Sequence, residues 1–385
     1  MKRVLWMLVV CCLLLGILPP GAAAAPLEVA GKSAVLMDVA TGTVLYESNP
    51  HEPLSPASVT KVMTMLLIME AIDGGKIRWE DTVTASEAAA AKGGSQIYLK
   101  VGETMTVSDM VKSIAVSSAN DCACAMAEHL AGSEDAFVEQ MNNRAKELGM
   151  NDTNFVNCTG LDDAPEAAQH KTSAMDIALM SRELLKNHPD IKKFTTIWMD
   201  TVRGGAFGLA NTNKMVRFYS GCTGLKTGFT SGAGYCLSAS AARDGMELIA
   251  VVMGSETSQE RFAACKSMLD YGFANYAVYT PALQEKTSVP VVLGKALSAE
   301  AGIGEEKALL VDKGEFSSIT AEVTLEESVK APVSRGQRLG TMTLRAGERV
   351  LAKIPLVAKE EVARKSWWDI FTDLMRRVAM AKPAQ

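Results

Sequence analysis

One serine and one lysine, three positions apart, are the first residues whose types and spacing could do chemistry. The stretch SPASVTKVMTMLLIMEA holds Ser58 and Lys61 in an otherwise apolar run. On a helix this spacing puts both side chains on one face, within reach of each other. A serine becomes a strong nucleophile when a neighbouring base removes its proton, and a buried lysine can be that base. A chain of this length holds about one or two Ser-x-x-Lys matches by chance, so Lys61 alone could be an ordinary helix residue.

Two more short motifs follow the pair. Ser118-Ala119-Asn120 comes next and Lys226-Thr227-Gly228 later, and each of the three motifs occurs once in the chain. A single Lys-Thr-Gly is expected in roughly one chain in ten of this size. Ser118 alone would be read as an ordinary helix cap. All three motifs in this order in one chain are hard to obtain by chance, which favours a chemical role for the Ser58–Lys61 pair.

Helices and strands must position these motifs. Ser55 before Pro56 predicts a helix start with Ser55 as the N-cap, which places Ser58 in the first turn, where free N–H groups favour negative charge. The Lys-Thr-Gly motif comes immediately before a predicted hairpin that turns at Arg243-Asp244-Gly245. The pattern predicts strands at 34–39, 43–47, 235–242 and 246–253, and helices at 56–72, 174–186 and 256–276. A helical stretch at 106–150 opens with a capping box from Thr106 to Asp109.

The composition indicates a globular, two-domain protein. The 385 residues are 48% hydrophobic with a net charge of -5 and no basic block, so nucleic acid is not an expected partner. Residues 287–357 read as short strands split by Gly, Pro and charged turns, which predicts a small separate β domain. None of the six cysteines after residue 24 forms a Cys-x-x-Cys pair, and the four histidines lack metal-site spacing. We expect buried thiols, with a disulfide as the alternative.

Both ends of the chain carry targeting patterns. Lys2 and Arg3 precede an apolar run, a Pro-Pro-Gly and a string of alanines, which is typical of a secretory signal cleaved near Ala24; a buried N-terminal helix is the alternative. Losing both cations leaves 37 basic and 44 acidic residues, a mature net charge of -7. The last residues form an amphipathic helix that suits the membrane interface or, alternatively, docks on the protein's own body. Its apolar stripe comprises Trp367, Trp368, Ile370, Phe371, Leu374, Met375 and Val378.

With these residues in place, the sequence resembles the penicillin-recognising serine enzymes, whose signature is Ser-x-x-Lys, Ser-x-Asn and Lys-Thr-Gly. It is most similar to the low-molecular-mass D-alanyl-D-alanine carboxypeptidases, and within them to the branch of endospore-forming bacteria. The supporting stretches include SAVLMDVATGTVLYE, VSSANDCACAMAEHLAG, GLKTGFTSGAGYCLSASA and VKAPVSRGQRLGTMTL. The resemblance covers essentially the whole mature chain. It implies a signal peptide at 1–24, a catalytic domain at 25–280, a β-rich domain at 281–360 and an anchor helix at 361–385.

The resemblance also implies a role for each motif residue. Ser58 is the acylated nucleophile and Lys61 its base. Ser118 relays protons, and Asn120 positions the substrate amide.

The substrate-binding residues are likewise implied. Lys226 and Thr227 bind the terminal carboxylate, and Gly228 lets the substrate backbone lie along the strand edge. The backbone N–H groups of Ser58 and Phe229 form the oxyanion hole. Many family members have His where this chain has Phe229, so a side-chain role there is in doubt. Arg261 matches a position that supports the carboxylate pocket, although it could be a solvated helix residue.

The implied fold is α/β: a five-stranded antiparallel sheet flanked by helices, with a helical lobe around Ser118, then the β domain and the terminal helix. The implied substrate is a peptidoglycan stem peptide ending in D-Ala-D-Ala, with β-lactams as inhibitors and no cofactor or metal. The implied location is the outer face of the cytoplasmic membrane. A β-lactamase is disfavoured, because the nearest match to its Glu-x-x-Leu-Asn loop, ELLKN at 183–187, lies in a predicted helix. A non-catalytic wall-binding or β-lactam-sensing module is the alternative of another class.

Overall fold

The computed structural model describes residues 27–283, 285, 287–304 and 308–380. The predicted signal peptide, residues 1–24, lies outside the described residues. The strands of the N-terminal part are β1 Ser33–Asp38, β2 Val44–Ser48, β3 Thr82–Thr84, β4 Thr104–Thr106, β5 Met199–Val202, β6 Phe207–Ala210, β7 Cys222–Thr230, β8 Gly234–Arg243, β9 Met246–Ser255 and β10 Tyr276–Tyr279. Five of them form an antiparallel sheet in the order β2-β1-β9-β8-β7, which confirms the predicted sheet.

This sheet is covered on both faces. Val35 and Met37 of β1 belong to one apolar core, whereas Ala34 and Leu36 belong to another on the opposite face. That division follows from the two-residue period of a strand, which sends successive side chains to opposite faces. Strand β7 lies at one edge of the sheet, so the Lys-Thr-Gly motif sits within a strand and not before the hairpin as predicted.

The longer helices are α1 Lys61–Asp73, α2 Val107–Ser117, α3 Asn120–Ala131, α4 Glu134–Glu147, α5 Ala174–Asn187 and α6 Ser258–Asn275. The helical stretch predicted at 106–150 is divided into three helices, because Ser118 (φ 63°) and Gly132 (φ 87°) adopt the left-handed conformation that ends a helix. Thr106 caps α2 as predicted, with its side chain accepting from the backbone N–H of Asp109. Shorter helical segments are Ala57–Thr60, Glu87–Ala90, Pro165–Gln169, Pro189–Ile191, Lys192–Thr195, Arg203–Gly205, Met215–Phe218 and Lys313–Phe316.

The predicted N-cap at Ser55 is wrong. The helix is entered through a 3₁₀ turn, Ala57–Thr60, whose N-cap is Pro56 and which has no side-chain cap bond. Ala57 adopts a left-handed φ of 47°. The chain therefore turns sharply just before Ser58, and this geometry replaces the extended N-cap that a serine would occupy.

The C-terminal part forms a separate β layer. Its strands are β11 Thr287–Val292, β12 Ser298–Ile303, β13 Leu309–Asp312, β14 Ile319–Leu325, β15 Val329–Lys330, β16 Arg338–Ala346 and β17 Arg349–Ala358. Six of them form a sheet in the order β14-β16-β17-β12-β11-β15 with its own apolar core. The two parts are joined by pairing of β10 with β13 and by Lys313 Nζ, which donates to the Phe273 carbonyl at 2.6 Å.

The last helix, α7 Trp367–Met380, begins later than the predicted segment at 361–385. Val362 and Arg364 form single bridges to Val333 and Gly294, so the chain before α7 is still attached to the β layer. The apolar side chains of α7 that are described are more than 40% exposed. Within the described residues, no helix has the length and apolar character needed to cross a membrane.

Candidate active site

The Ser-x-x-Lys pair forms the geometry expected of a nucleophile and its base. Lys61 Nζ lies 3.0 Å from Ser58 Oγ and donates to the Thr159 carbonyl at 2.8 Å. Lys61 is completely buried, and burial lowers the pKa of its amine to about 7 against the opposing effects of Cys158 and Asp121. A large fraction of the amine is therefore neutral near neutral pH, so it can accept the Ser58 proton.

Two glycines allow the chain to pass closely on either side of Ser58. A Cβ on Gly160 would lie 1.8 Å from the Ala57 carbonyl oxygen, and one on Gly228 would lie 2.6 Å from the Pro56 carbonyl oxygen. The left-handed turn at Ala57 is therefore held between a loop and strand β7. The close packing of Gly228 against the Ser58 turn is a requirement for glycine that the sequence did not reveal.

The Ser-x-Asn motif occupies the break between α2 and α3. Ser118 is buried in its left-handed conformation, and Asn120 begins α3 with Nδ2 donating to the Gly93 carbonyl at 2.7 Å. Asn120 Oδ1 is buried and has no hydrogen-bond partner among the residues that the structure describes. The neighbouring Asp121 raises the pKa of Lys61, which places the start of α3 within electrostatic range of the base. An unpaired buried acceptor is a group that a substrate N–H can satisfy.

Strand β7 brings the third motif to the same site. Lys226 is buried, its Nζ donates to the Thr227 carbonyl at 2.8 Å, and Thr227 Oγ1 donates to Thr212 at 2.7 Å. Burial lowers the pKa of Lys226 well below its ordinary value, and Lys61 and Arg261 lower it further. The two lysines are thus close enough to repel each other. An anion bound between them would be strongly favoured.

Arg261 is buried against strand β7 and is not a solvated helix residue. It is 7% exposed and its Nη1 donates to the carbonyls of Gly228 at 2.8 Å and Cys236 at 3.3 Å. It therefore braces the edge strand from behind and adds positive charge beneath the motif. Phe229, in contrast, is 53% exposed and packs on Tyr235 with ring centroids 4.3 Å apart.

Several residues at the site escaped sequence reasoning. Thr159 supplies the carbonyl that orients Lys61, Thr212 supports Thr227, and His170 hydrogen-bonds to Thr60. Each lies far in sequence from the motif that it contacts. None of the three carried a local signal in the sequence; His170 was noted only as one of four histidines without metal-site spacing.

Comparison with known proteins decides the family. A profile described as "D-alanyl-D-alanine carboxypeptidase" (Peptidase_S11) matches residues 21–257. The chain belongs to this family. A second profile, "Penicillin-binding protein 5, C-terminal domain", matches residues 280–364. The serine-type D-Ala-D-Ala carboxypeptidase and the penicillin-binding-protein fold predicted from the sequence are confirmed.

Individual relatives agree with this assignment. The carboxypeptidase is 44% identical over 376 residues to D-alanyl-D-alanine carboxypeptidase DacF of Bacillus subtilis, covering 94% of this chain and 95% of the relative. This relative comes from an endospore former, which fits the predicted branch. Identity to DacC of Escherichia coli is 34%, covering 85% and 83% of the two chains.

Solved structures give the same result. Penicillin-binding protein 5 from Haemophilus influenzae superposes with a TM-score of 0.75 at 30% identity, covering 88% of this chain and 99% of that one. Penicillin-binding protein D2 from Listeria monocytogenes in an ampicillin-bound form has a TM-score of 0.59 at 31% identity, covering 65% of this chain and 100% of that one.

Proposed function

We propose that Ser58 and Lys61 perform the acyl transfer of this carboxypeptidase on peptidoglycan stem peptides ending in D-Ala-D-Ala. Ser58 Oγ attacks the carbonyl carbon of the penultimate D-Ala while neutral Lys61 accepts the hydroxyl proton. The C–N bond breaks, the proton passes to the nitrogen of the leaving D-Ala, and an ester to Ser58 remains. The observation that carries this mechanism is the buried Lys61 amine, 3.0 Å from Ser58 Oγ.

The other motif residues complete the reaction in this proposal. Lys226 and Thr227 bind the terminal carboxylate, with Arg261 reinforcing the positive field from behind β7. Asn120 Oδ1 accepts from the substrate amide, and Ser118 relays the proton to the leaving group. The N–H groups of Ser58 and Phe229 stabilise the oxyanion. Water then attacks the ester with Lys61 as base, which regenerates the Ser58 hydroxyl.

The decisive experiment is incubation with a pentapeptide ending in D-Ala-D-Ala, with products read by mass. We expect loss of one alanine from the wild type and none from Ser58→Ala. The same peptide ending in D-Ala-L-Ala is the matched substrate control and should remain intact. Acylation by penicillin without release of D-Ala would contradict the proposal and favour a sensing module.

We also propose that β-lactams acylate Ser58. A β-lactam offers a strained amide and a carboxylate at spacings resembling those of the terminal dipeptide, so Lys226 and Ser58 would engage it in the same way. The relative from Listeria monocytogenes was solved in ampicillin-bound and cefotaxime-bound forms at 31% identity, which supports the transfer.

The location is proposed from the two ends of the chain. Residues 1–24 direct export, and the carboxypeptidase acts on the outer face of the cytoplasmic membrane, held there by α7. The exposed stripe on α7, with Trp367 and Trp368 each about two-thirds exposed, supports a membrane-facing helix over one docked on the protein's body. We propose functional boundaries at 25–280 for the catalytic domain and 281–360 for the β domain. The membrane-binding segment then begins at Trp367.

A further inference from the structure

A buried histidine joins the segment that carries the nucleophile to two other segments. His170 is 2% exposed, its Nε2 lies 2.8 Å from Thr60 Oγ1, and its Nδ1 accepts from the Val156 N–H at 3.2 Å. Its ring packs edge-on against Phe155 with centroids 5.6 Å apart. The proposed chemistry of Ser58 does not use this ring directly. The ring nevertheless contacts Thr60, which lies between Ser58 and Lys61 in the sequence.

The hydrogen bonds determine which ring nitrogen carries the proton. Nδ1 accepts from a backbone N–H and so cannot itself be protonated. The hydroxyl proton of Thr60 is already donated to the Ala57 carbonyl at 2.8 Å, so Thr60 Oγ1 must accept from Nε2. Both ends of the ring thus require the neutral Nε2–H tautomer. The hydrogen bonds therefore share one direction: His170 Nε2–H donates to Thr60 Oγ1, and the Thr60 hydroxyl donates to the Ala57 carbonyl. We call this chain of hydrogen bonds the relay.

This chain of hydrogen bonds ends on a constrained peptide of the site. Ala57 has a left-handed φ of 47°, a conformation that costs a non-glycine residue energy unless its surroundings hold it. Its carbonyl oxygen lies against Gly160, where a Cβ would come within 1.8 Å. Ser58 follows directly, so the orientation of the Ala57 peptide determines how the Ser58 side chain enters the turn.

We propose that His170 is a positioning residue for acylation: as the Nε2–H tautomer it fixes Thr60 and, through it, the Ala57 carbonyl, so that Ser58 Oγ faces Lys61 Nζ. The proposal rests on the acyl-transfer function proposed above. It assigns His170 no contact with substrate. Its effect is therefore on the acylation rate and not on non-covalent binding of the ligand.

The electrostatics agree with a permanently neutral ring. Burial, with the nearby charges of Lys171 and Lys61, lowers the pKa of His170 to about 4. Protonation would turn Nδ1 into a donor facing the Val156 N–H and would break the relay. Across the pH range in which Lys61 titrates, His170 therefore keeps one protonation state.

The relay is tested on the full mature chain with isosteric changes at Thr60. Thr60→Val keeps the shape and removes both hydrogen bonds, and we expect the acylation rate constant with fluorescent penicillin to fall about 10- to 100-fold, since small misplacement of a reacting atom has effects of that order. The non-covalent dissociation constant should change little. Thr60→Ser restores the hydroxyl and should recover acylation to within a few-fold of wild type.

The matched control is Thr172→Val. Thr172 is a buried threonine two residues after His170, and its Oγ1 lies 2.7 Å from Thr153 Oγ1, outside the relay. This variant also loses a buried hydroxyl close to His170 in the sequence, and it should be acylated at a rate within a few-fold of wild type. Equal acylation by Thr60→Val and Thr172→Val would overturn the proposal. Equal losses in Thr60→Val and Thr60→Ser would also overturn it, because they would assign the effect to the methyl group.

A readout independent of activity separates this proposal from the proposed function. With ¹⁵N-histidine labelling, the His170 signal, assigned by its loss in His170→Gln, should show a bare Nδ1 and a protonated Nε2 at pH 6. An Nδ1–H tautomer or an imidazolium at that pH would overturn the relay even if Ser58 is acylated normally. A wild type that shows the expected tautomer but no acylation would instead overturn the proposed function.

Discussion

The catalytic cleft and the C-terminal helix both depart from the usual distribution of side chains, in opposite ways. The cleft buries lysines, and the helix exposes large aromatic side chains. In the cleft, Lys61 and Lys226 are fully buried, and within the described part of the chain no carboxylate accepts a hydrogen bond from their amines. On α7, Trp367 and Trp368 are 67% and 66% exposed. Soluble proteins bury such cations rarely and expose clustered large aromatic side chains rarely.

In each of the two regions, the proposed function would supply a partner for these side chains. Burial lowers the pKa of both lysines of the cleft. Under the proposed function Lys61 acts as the neutral base, and the carboxylate of the stem peptide supplies the anion that favours the charged form of Lys226. The exposed aromatic face lacks an apolar surface, which a membrane interface would supply. The β layer between them follows the ordinary pattern: among the described residues from 287 to 362, the fully buried side chains are hydrophobic. The β layer therefore shows the usual distribution of side chains, against which the cleft and the helix can be compared.

The largest expected effect comes from removing the nucleophile. Ser58→Ala should form no covalent adduct with labelled penicillin, because it removes the hydroxyl that lies 3.0 Å from the Lys61 amine. Peptide mapping by mass detects the adduct. Ser55→Ala is the matched control and should react normally, since Ser55 does not cap the helix. An adduct on any other serine would show that the cleft has been assigned to the wrong nucleophile.

The next effect tests the buried base. Lys61→Arg keeps the charge but supplies a guanidinium that does not release its proton, so acylation should fall about 10²- to 10⁴-fold. Lys193→Arg, at an exposed ion pair with Asp190, is the charge-preserving control and should change little. Acylation of the Lys61 variant within a few-fold of wild type would mean that another group activates Ser58, with Ser118 the first to test.

The pH profile of the wild type should report the same lysine. Burial lowers the pKa of Lys61 to about 7, so the amine is protonated and inactive as a base below that pH and neutral above it. The acylation rate should therefore rise as the pH increases through about 7 and then level off. A profile that rises only near the ordinary lysine pKa would show that Lys61 is not desolvated in solution.

The sequence predicted the features that depend on local patterns. The apolar strand predicted at 34–39 and the helix predicted at 174–186 follow from the pattern of apolar residues. The hairpin turn at Asp244-Gly245, where both residues have positive φ, follows from turn chemistry. The three motifs also carried the candidate residues. The turn at Ala57 could not be predicted, because Gly160 and Gly228, more than a hundred residues away, create it. Pairing of β10 with β13 is likewise a long-range contact with no local signal.

A moderate effect is expected at Arg261, which could act through its positive charge or by supporting strand β7. Arg261→Met removes the charge and the bonds to the Gly228 and Cys236 carbonyls, and hydrogen bonds from a charged donor contribute about 1.5–3 kcal/mol. We expect about a tenfold slower acylation by penicillin. The carboxyl-amidated analogue, which lacks the anion, should lose less. Equal losses for both ligands would indicate that Arg261 acts only by bracing β7.

The smallest effect on catalysis should come from removing α7, the helix with the exposed aromatic face. Truncation after Lys365 removes α7 and the ion pair that Lys365 makes with Asp373 at 2.5 Å, but it leaves the cleft, the β10–β13 pairing and the bridges at Val362 and Arg364 in place. Acylation in solution should stay within about twofold of the full mature chain, because Ser58, Thr159 and the charges that act on the pKa of Lys61 all lie before residue 366. Sedimentation with anionic vesicles should disappear at the same time.

The matched control is a full-length chain with Trp367→Ala and Trp368→Ala, which keeps the helix and should lose most of the binding, since the two indoles are its largest apolar groups. If the truncated chain still sediments with vesicles, the exposed aromatic face is not the membrane contact. The comparison would then hold for the cleft alone.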